Sequence, residues 1–270
     1  MPAARKVVLV TGASSGIGKQ IALRLGADGH RVFGTSRTPR PEGASCTMLQ
    51  LDVTDDASVC ACVEQTIEEA GRIDVLVNNA GFGLFGAIED TTVAEAKAQF
   101  ETNFWGVVRV TKAALAHMRR QGSGRVITVG SMAGHVGLPF QAYYAASKHA
   151  LEAFNESLRL ELHGSGIDST IICPGDFRTG FTRSRKFAGR AKLHIEPDRV
   201  DGFLKIYERD EMNGADATLV SDLVSTIVHR QQVDVRYFTG KASQRASMVL
   251  KRMLSARVFE SLFRSTYQLK

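Results

Sequence analysis

The chain has 270 residues, of which 44% are hydrophobic and 23% are charged, a balance that is ordinary for a soluble globular protein. Its net charge of +6 is concentrated in two acid-free runs, at 178–192 and 241–257. No nucleic-acid motif accompanies either run, so we interpret both as solvated faces and expect no nucleic-acid partner. No apolar run reaches membrane-spanning length and no signal-peptide core follows Met1, so we expect a cytoplasmic protein.

Short apolar runs alternate with stretches of helical periodicity along most of the chain. The sequence predicts strands at 6–11, 31–36, 47–51, 73–78, 125–130, 168–173 and 233–238, and helices at 16–28, 55–70, 92–102, 103–120, 141–163 and 216–230. Gly29, Gly71, Gly122 and Gly164 stand where helix C-termini favour a left-handed residue. This alternation indicates one α/β domain with a doubly wound, seven-stranded parallel sheet that helices cover on both faces.

Two segments depart from this rhythm. Residues 176–215 are an irregular insertion within the body of the domain, 1–240, and we expect them to cover a ligand site at the carboxyl edge of the sheet. Residues 241–270 have an amphipathic helical period. Three interpretations of this tail are open: a helix that caps the core, an oligomer contact, or attachment to a membrane surface. We favour packing against the body or a second subunit.

A glycine-rich turn, from Thr11 to Gly18, joins the first predicted strand to the first helix. Glycines let the backbone approach a pyrophosphate, and a helix N-terminus offers free N–H groups and the positive end of a dipole. The residues expected to contact a dinucleotide here are Gly12, Ser14, Ser15, Gly16, Ile17 and Gly18.

The end of the second strand predicts which dinucleotide binds. An acidic residue there, about twenty positions after the glycines, would bind a ribose 2′-hydroxyl and repel a 2′-phosphate. This chain has Ser36 and Arg37 instead. Because arginine pairs bidentately with phosphate, NADP(H) is the predicted cofactor. Stacking of Arg37 on the adenine is the alternative.

Tyr144 and Lys148 are four residues apart in a predicted helix, so they share one face. A nearby cation favours the phenolate, which is expected to lower the pKa of Tyr144 and make its proton available. Ser131 can donate a hydrogen bond to the same substrate oxygen. Tyr143 has no lysine four residues later, and His135 is interpreted as a surface or packing residue.

These motifs occur in the order in which one family carries them. They are the turn from Thr11 to Gly18, Asn78-Asn79-Ala80-Gly81, Asn103, Ser131, Tyr144 with Lys148, and Pro174-Gly175. Together they resemble the short-chain dehydrogenase/reductase family, loosely its hydroxysteroid and retinol dehydrogenase-like branch, over about residues 5–240. The resemblance implies a Rossmann fold, hydride transfer between a nicotinamide cofactor and a carbonyl or secondary alcohol with Tyr144 as acid/base, and a homodimer or homotetramer.

The resemblance also implies roles for single residues. Expected cofactor contacts are Asp52 and Val53 with the adenine, Asn79, Ala80 and Gly81 on the adenosine side of the cleft, and Pro174, Gly175, Phe177 and Thr179 near the nicotinamide. Lys148 would hold the nicotinamide ribose. Asn103 would kink a helix and bind a water in a proton relay, whereas from the residues alone it would be a helix N-cap.

The expected substrate walls are mainly apolar, as small-molecule pockets usually are. They comprise Phe82, Leu84, Phe85, Met132, Val136, Leu138, Phe140 and Phe181. A lipophilic ketone or secondary alcohol, such as a steroid or retinoid, fits this lining. Two alternatives are open: a non-catalytic NADP(H) sensor, and a 3-oxoacyl-type reductase that holds a phosphorylated carrier with Arg183, Arg185, Lys186, Arg190 and Lys192.

No metal is predicted from this sequence. Neither the four cysteines nor the seven histidines have the spacing of metal ligands. We interpret Cys46, Cys60, Cys62 and Cys173 as buried small hydrophobic residues.

Overall fold

A computed structural model describes residues 4–40, 45–179, 185–188 and 197–267. Its strands are β1 (Val7–Val10), β2 (Arg31–Ser36), β3 (Thr47–Gln50), β4 (Val75–Asn78), β5 (Leu84–Phe85), β6 (Gly124–Val129), β7 (Ile167–Pro174), β8 (Phe177–Arg178), β9 (Lys186–Phe187), β10 (Ala215–Asp216) and β11 (Arg236–Thr239). Its α-helices are α1 (Gly16–Ala27), α2 (Asp56–Ala70), α3 (Val93–Phe100), α4 (Gly106–Gln121), α5 (Ala142–Glu161), α6 (Pro197–Met212), α7 (Thr218–His229), α8 (Ala242–Met253) and α9 (Ala256–Thr266).

Seven parallel strands form the central sheet, in the order β3-β2-β1-β4-β6-β7-β11. The chain winds outward from β1 to β3 and then crosses back to β4, so the winding direction changes between β1 and β4. All residues of these two strands are buried, because helices cover both faces of the sheet. The predicted α/β fold with a doubly wound, seven-stranded parallel sheet is confirmed.

The two faces of the sheet carry separate cores. On one face, α1 and α7 pack through Ile21, Leu25 and Val224. On the other, α2 and α4 pack through Val63 and Val110. Each helix buries a stripe of apolar residues against the sheet, and this burial is the main source of stability in such a layered fold.

Glycines end the helices at the predicted positions. Gly71 and Gly122 are the C-caps of α2 and α4 in the left-handed conformation, with φ of 75° and 67°. Gly29 and Gly164 follow α1 and α5 with φ of 88° and 77°. These four predictions are confirmed.

The two helices predicted at 92–102 and 103–120 are one continuous helix with a π turn inside it. Thr92 caps α3 with a capping box that includes Glu95. The five residues Glu101–Trp105 form the π turn, and α4 follows without a break. The interpretation of Asn103 as a helix N-cap is therefore wrong, since Asn103 lies in the middle of this turn.

The described residues of the insertion, at 176–179, 185–188 and 197–215, and of the tail, at 241–267, lie beside the carboxyl edge of the sheet. A short parallel pair, β5 with β9, joins the insertion to the body, and a second, β8 with β10, brings the two ends of the insertion together. Met248 of α8 is buried against Met132 and Val136, and Phe259 and Phe263 of α9 pack on the same cluster. Among the described helices, none combines the length and hydropathy needed to cross a bilayer.

Two expectations about single residues are wrong. Cys60 is exposed, whereas Cys46, Cys62 and Cys173 are buried as expected. Arg185 does not lie on a solvated face, because its side chain is 0% exposed. Arg183, Arg190, Lys192 and Phe181 lie outside the described residues.

Candidate active site

One large cavity, of about 1140 Å³, opens at the carboxyl edge of the sheet. It runs across the change in winding direction between β1 and β4, where ligands bind in open α/β sheets. The predicted residues that line it are Gly12, Ser14, Ser15, Gly16, Ile17, Ser36, Arg37, Asp52, Val53, Asn79, Ala80, Gly81, Asn103, Ser131, Tyr144, Lys148, Pro174, Gly175, Phe177 and Thr179. Gly18 does not line it.

The glycine-rich turn has a backbone that requires glycine. Gly12 and Gly16 have φ of +67° and +55°, in the left-handed region that side chains disfavour. A Cβ on Gly12 would lie 2.9 Å from the Cα of Ala80. α1 begins at Gly16, so its free N–H groups point toward the cavity end that the turn lines. The turn therefore fits a diphosphate.

Asn79 holds this turn in place rather than only lining the cleft. Its Nδ2 donates to the carbonyl oxygens of Thr11 at 2.9 Å and Gly12 at 3.2 Å. In return, Thr11 Oγ1 accepts from the backbone N–H groups of Asn79 and Ala80 at 2.9 and 3.0 Å. Gly18 is needed for this clamp, because a Cβ there would lie 2.3 Å from Asn79 Nδ2.

The cavity end beside β2 offers polar groups that lack partners. The Thr35 Oγ1 and Ser36 Oγ atoms are buried, and neither makes a hydrogen bond with a described residue. Arg37 is exposed at the cavity wall. Hydrogen bonds from Thr54 hold the pKa of Asp52 below its usual range, and the charge of Arg37 contributes in the same direction. A hydroxyl without a partner beside a free guanidinium fits a phosphate ester.

Ser131, Tyr144 and Lys148 meet in the wall of the cavity. Ser131 follows β6, and its hydroxyl is hydrogen-bonded to that of Tyr144 on α5. Lys148 lies one turn further along α5, with Nζ 2.9 Å from the carbonyl oxygen of Val129 and 5.8 Å from the centroid of the Tyr144 ring. Tyr144 and Lys148 are 8% and 7% exposed, so both side chains are desolvated.

The predicted depression of the Tyr144 pKa is wrong for this structure. Burial raises the pKa of Tyr144 to about 12, and this outweighs the hydrogen bond from Ser131, which lowers it. Negative charge on Glu211 and Asp176 raises it further. Burial lowers the pKa of Lys148 to about 8. The sequence spacing indicated the charge next to the phenol but not the cost of desolvating both groups.

Asn103, in the π turn, makes hydrogen bonds to two segments of the cavity wall. Its Oδ1 accepts from the N–H of Phe82 at 3.1 Å, and its Nδ2 donates to the Phe82 carbonyl at 3.0 Å and to Ser147 Oγ at 3.4 Å. Ser147 in turn donates to the Tyr144 carbonyl at 2.7 Å. Asn103 thus connects the segment after β4 to the helix that carries Tyr144. Its role in a proton relay stays a prediction.

Tyr143 and His135 do not line the cavity. The hydroxyl of Tyr143 donates to the carbonyl of Ile88 at 3.4 Å. His135 packs edge-on against Phe238, with ring centroids 5.0 Å apart, and its Nε2 lies 3.1 Å from Glu152 Oε1. The interpretation of His135 as a packing residue agrees with these contacts.

His135, Glu152 and Cys173 place their ligand-type atoms within 4.8 Å of one another. The Cys173 thiol donates to Glu152 Oε1 at 3.0 Å, and Arg236 Nε donates to Glu152 Oε2 at 3.0 Å. Burial raises the pKa of the Cys173 thiol, which disfavours the thiolate that a metal needs. The donor set therefore fits a buried hydrogen-bond cluster better than a metal site.

The substrate walls are only partly those that the sequence predicts. Phe82, Met132, Val136 and Leu138 line the cavity. Phe85 and Phe140 instead pack with Phe203 and Tyr207 in an aromatic cluster, of which Tyr207 lines the cavity. Leu84 belongs to β5 and does not line the cavity. Further apolar lining comes from the tail, through Met248, Leu250, Phe259, Leu262, Phe263 and Tyr267.

A polar group of the cavity was missed by the sequence interpretation. Asp176, Tyr207, Asp210, Glu211 and Gln244 line the cavity together with Tyr144. They come from the segment after β7, from α6 and from α8, so no local motif connects them. The one signal in the sequence was the position of Asp176, two residues after Pro174.

A model of the short chain dehydrogenase family matches residues 6–188, which is more than half of the chain. The chain belongs to the short-chain dehydrogenase family. A 3-ketodihydrosphingosine reductase of Bacteroides thetaiotaomicron is 42% identical over 242 residues, covering 88% of this chain and 89% of that protein. Human 17-beta-hydroxysteroid dehydrogenase type 1 is 35% identical over 261 residues, which cover 87% of this chain and 78% of the human enzyme. A solved short-chain dehydrogenase from Streptomyces avermitilis has a TM-score of 0.83 at 28% identity, over 100% of both chains.

Membership in the short-chain dehydrogenase family confirms the resemblance and the Rossmann-like fold. It makes the protein an oxidoreductase that uses a nicotinamide cofactor and acts on a small molecule. The phosphate turn and Tyr144 line the same cavity of about 1140 Å³, so the dinucleotide and the small molecule can bind in one continuous space.

Proposed function

We propose that the protein is an NADP(H)-dependent oxidoreductase that interconverts a ketone and a secondary alcohol on a lipophilic, long-chain substrate. The observation that carries this proposal is the placement of Ser131, Tyr144 and Lys148 in the wall of the cavity that also contains the phosphate turn. A ligand held at the turn and a carbonyl held at Tyr144 would share one desolvated space, in which hydrogen bonds and charges act strongly.

When bound, a nicotinamide dinucleotide would supply or accept the hydride. In the direction of reduction, the Tyr144 hydroxyl donates its proton to the substrate oxygen as negative charge develops there. The Ser131 hydroxyl donates a second hydrogen bond to that oxygen. Lys148, whose Nζ donates to the Val129 carbonyl, stabilises the phenolate that remains and would hold the ribose hydroxyls of the dinucleotide. In the reverse direction the phenolate accepts the alcohol proton.

Preference for NADP(H) over NAD(H) is supported by the residues at the end of β2. Arg37 provides a guanidinium for the 2′-phosphate, and the Ser36 hydroxyl lacks a hydrogen-bond partner in the described part of the chain. Asp52 lies further along the wall, where Thr54 Oγ1 donates to its carboxylate at 2.7 Å. The charge of Arg37 also acts on this carboxylate, so the guanidinium offsets the repulsion between Asp52 and a 2′-phosphate.

The apolar lining favours a lipophile, and the tail favours an elongated one. Met248, Phe259, Leu262 and Phe263 extend the apolar surface along α8 and α9, beyond the wall that Met132 provides. A relative that reduces 3-ketodihydrosphingosine, by its name, supports a long-chain ketone over the ring compounds that the sequence suggested. The burial of Arg185 removes one of the basic residues on which the phosphorylated-carrier alternative depends.

Tyr144→Phe tests the chemical step. We expect kcat to fall by at least about 100-fold, because the proton donor is lost, while NADPH binding measured by fluorescence persists. Tyr143→Phe is the matched control, since it removes a neighbouring phenol that does not line the cavity. Equal turnover by Tyr144→Phe and Tyr143→Phe would contradict the proposal.

Arg37→Ala tests the cofactor preference. Loss of a charge-assisted phosphate contact should reduce the ratio of kcat/KM for NADPH over NADH by about 10- to 100-fold. Arg40→Ala is the control, because Arg40 is exposed but does not line the cavity. An unchanged ratio in Arg37→Ala would assign the preference to another residue.

The substrate class is tested by NADPH consumption with 3-ketodihydrosphingosine, a ketosteroid and retinal. Turnover of the ring compounds alone would refute the long-chain preference. A homodimer or homotetramer is expected from the family, and light scattering measures it directly.

A further inference from the structure

Asp176 has one carboxylate oxygen available to a ligand. The residue follows Pro174 and Gly175 at the end of β7 and lines the cavity. Its Oδ2 accepts from Gln244 Nε2 at 2.6 Å, and its N–H donates to Gln244 Oε1 at 3.3 Å. Oδ1 makes no hydrogen bond with a described residue. The carboxylate is therefore fixed from one side by α8 and open on the other.

Tyr207 provides a second polar group without a partner. The side chain is 7% exposed, lines the cavity and stacks under the Arg185 guanidinium, whose Cζ lies 4.8 Å from the ring centroid. Its hydroxyl makes no hydrogen bond with the part of the chain that the structure describes. The ring is buried while the residue lines the cavity, so the hydroxyl is available to hydrogen-bond a ligand there.

The carboxylate of Asp176 favours a cationic ligand. Asp210 and Glu211 are the other carboxylates that line this part of the cavity. Glu211 is bonded to Arg185, and the charge of Lys241 on the tail acts on Asp176. Asp210 is paired with Arg209, whose Nη2 lies 3.2 Å from Asp210 Oδ1, so among these three carboxylates the open oxygen of Asp176 is the acceptor that remains for a cation. Burial, and next the charge of Glu211, raise the pKa of Asp176 to about 6, a cost that a bound cation would relieve.

The same groups lie close to the reacting centre. The charges of Asp176 and Glu211 both act on the Tyr144 hydroxyl, and Tyr144 and Tyr207 act on each other. Tyr144, Asp176 and Tyr207 also line the same cavity, so a substrate whose ketone is hydrogen-bonded to Tyr144 can reach Asp176 and Tyr207.

We propose that Asp176 and Tyr207 bind a substrate ammonium group carried next to the ketone, so that the preferred substrate is a long-chain amino ketone. The carboxylate pairs with the ammonium and the hydroxyl accepts a second hydrogen bond from it, while the alkyl chain lies along the apolar surface of α8 and α9. This inference rests on the proposed function, because it names the substrate class of the same cavity.

The test compares two substrates that differ in one group. One is a long-chain 2-amino-3-ketone and the other is the same ketone with hydrogen in place of the amino group. Wild-type enzyme should have the higher kcat/KM for the amino ketone. In Asp176→Asn the ratio of the two values should fall by about 10- to 100-fold, as expected for the loss of a charge-assisted hydrogen bond. If Asp176 only anchors Gln244, Asp176→Asn should reduce kcat/KM for both ketones equally. An unchanged ratio of the two kcat/KM values would therefore overturn the inference.

Glu208→Gln is the matched control variant. It removes one negative charge from α6, one residue after Tyr207, but Glu208 does not line the cavity. In Glu208→Gln the ratio of kcat/KM for the amino ketone over the ketone without nitrogen should stay within about twofold of the wild-type ratio. Tyr207→Phe should reduce the ratio by less than Asp176→Asn, because it removes a neutral hydrogen-bond acceptor and leaves the ion pair.

Failure of this inference is distinguishable from failure of the proposed function. If wild type reduces both ketones equally well, the proposed function stands and the ammonium site is refuted. If it reduces neither, the proposed function fails, and calorimetry on the NADP⁺-loaded enzyme decides the ammonium site alone. A long-chain 2-amino-3-alcohol should then bind at least about 10-fold more tightly than the alcohol without nitrogen, and Asp176→Asn should abolish that difference. Equal affinities in wild type would refute the site.

Discussion

Substitution of Gly18 by alanine should damage both stability and cofactor binding. Gly18 lies in the first turn of α1, where an added Cβ would be 2.3 Å from Asn79 Nδ2 and 2.4 Å from the Gly12 carbonyl oxygen. These two atoms belong to the clamp in which Asn79 holds Thr11 and Gly12 at 2.9 and 3.2 Å. Alanine therefore fits only if the clamp opens.

The expected cost follows from three contributions. Two hydrogen bonds are lost, at about 1 kcal/mol each, and relief of the overlap costs about 1–3 kcal/mol. Alanine recovers up to about 1 kcal/mol of helix propensity. The net loss in unfolding free energy is about 2–4 kcal/mol. The backbone N–H groups of the turn also lose their fixed position, so affinity for NADPH should fall by at least about 10-fold.

Urea unfolding and a fluorescence titration with NADPH measure these two effects. Gly202→Ala is the control, since it is also a helical glycine but its added Cβ has no atom within 4 Å. This control should stabilise the protein by up to about 1 kcal/mol and leave NADPH binding unchanged. If Gly18→Ala matched Gly202→Ala in both measurements, the clamp would not have the role that its geometry indicates.

Three further measurements test other groups. Lys148 has its pKa lowered to about 8 in the folded state and titrates at about 10.4 when unfolded. The unfolded chain binds more protons between these values, so wild-type stability relative to Lys148→Met should rise by about 1 kcal/mol per pH unit there; a flat difference would contradict this. A thiol reagent should modify one of the four cysteines in the native state, the exposed Cys60, and none in Cys60→Ser. Glu152→Gln should reduce the unfolding free energy by about 1–3 kcal/mol at pH 7, because a charge-assisted hydrogen bond at 3.0 Å is lost while Arg236, 24% exposed, keeps its ion pair with Glu156; an unchanged unfolding free energy would contradict this.

The sequence predicts the phosphate turn well because its requirements are local. Gly12 and Gly16 need a left-handed backbone, and the strand before and the helix after them are visible as short periodic segments. Tyr144 and Lys148 are likewise linked by the spacing of one helix. Such features are encoded within a few residues, so one sequence is sufficient to identify them.

The substrate end could not be predicted for the opposite reason. Asp176 meets Gln244 across 68 residues of sequence, and Tyr207 reaches the cavity from an insertion without clear periodicity. Burial is also a property of the whole fold. The spacing of Tyr144 and Lys148 indicated a depressed phenol pKa, whereas desolvation raises it.

The π turn Glu101–Trp105 is a feature that the active site needs and the packing of the helix does not. A π turn is an α-helical turn that holds one extra residue. Deleting Thr102 would convert this stretch into a regular α-helix and keep the phase of α4, so Val110 and Met118 would still face the core. Asn103 would lose the position from which it bonds both to Phe82 and to Ser147. The extra residue of the π turn thus positions the Asn103 amide and is not needed for the helix itself. A variant that lacks Thr102 should therefore fold but have an incomplete active site.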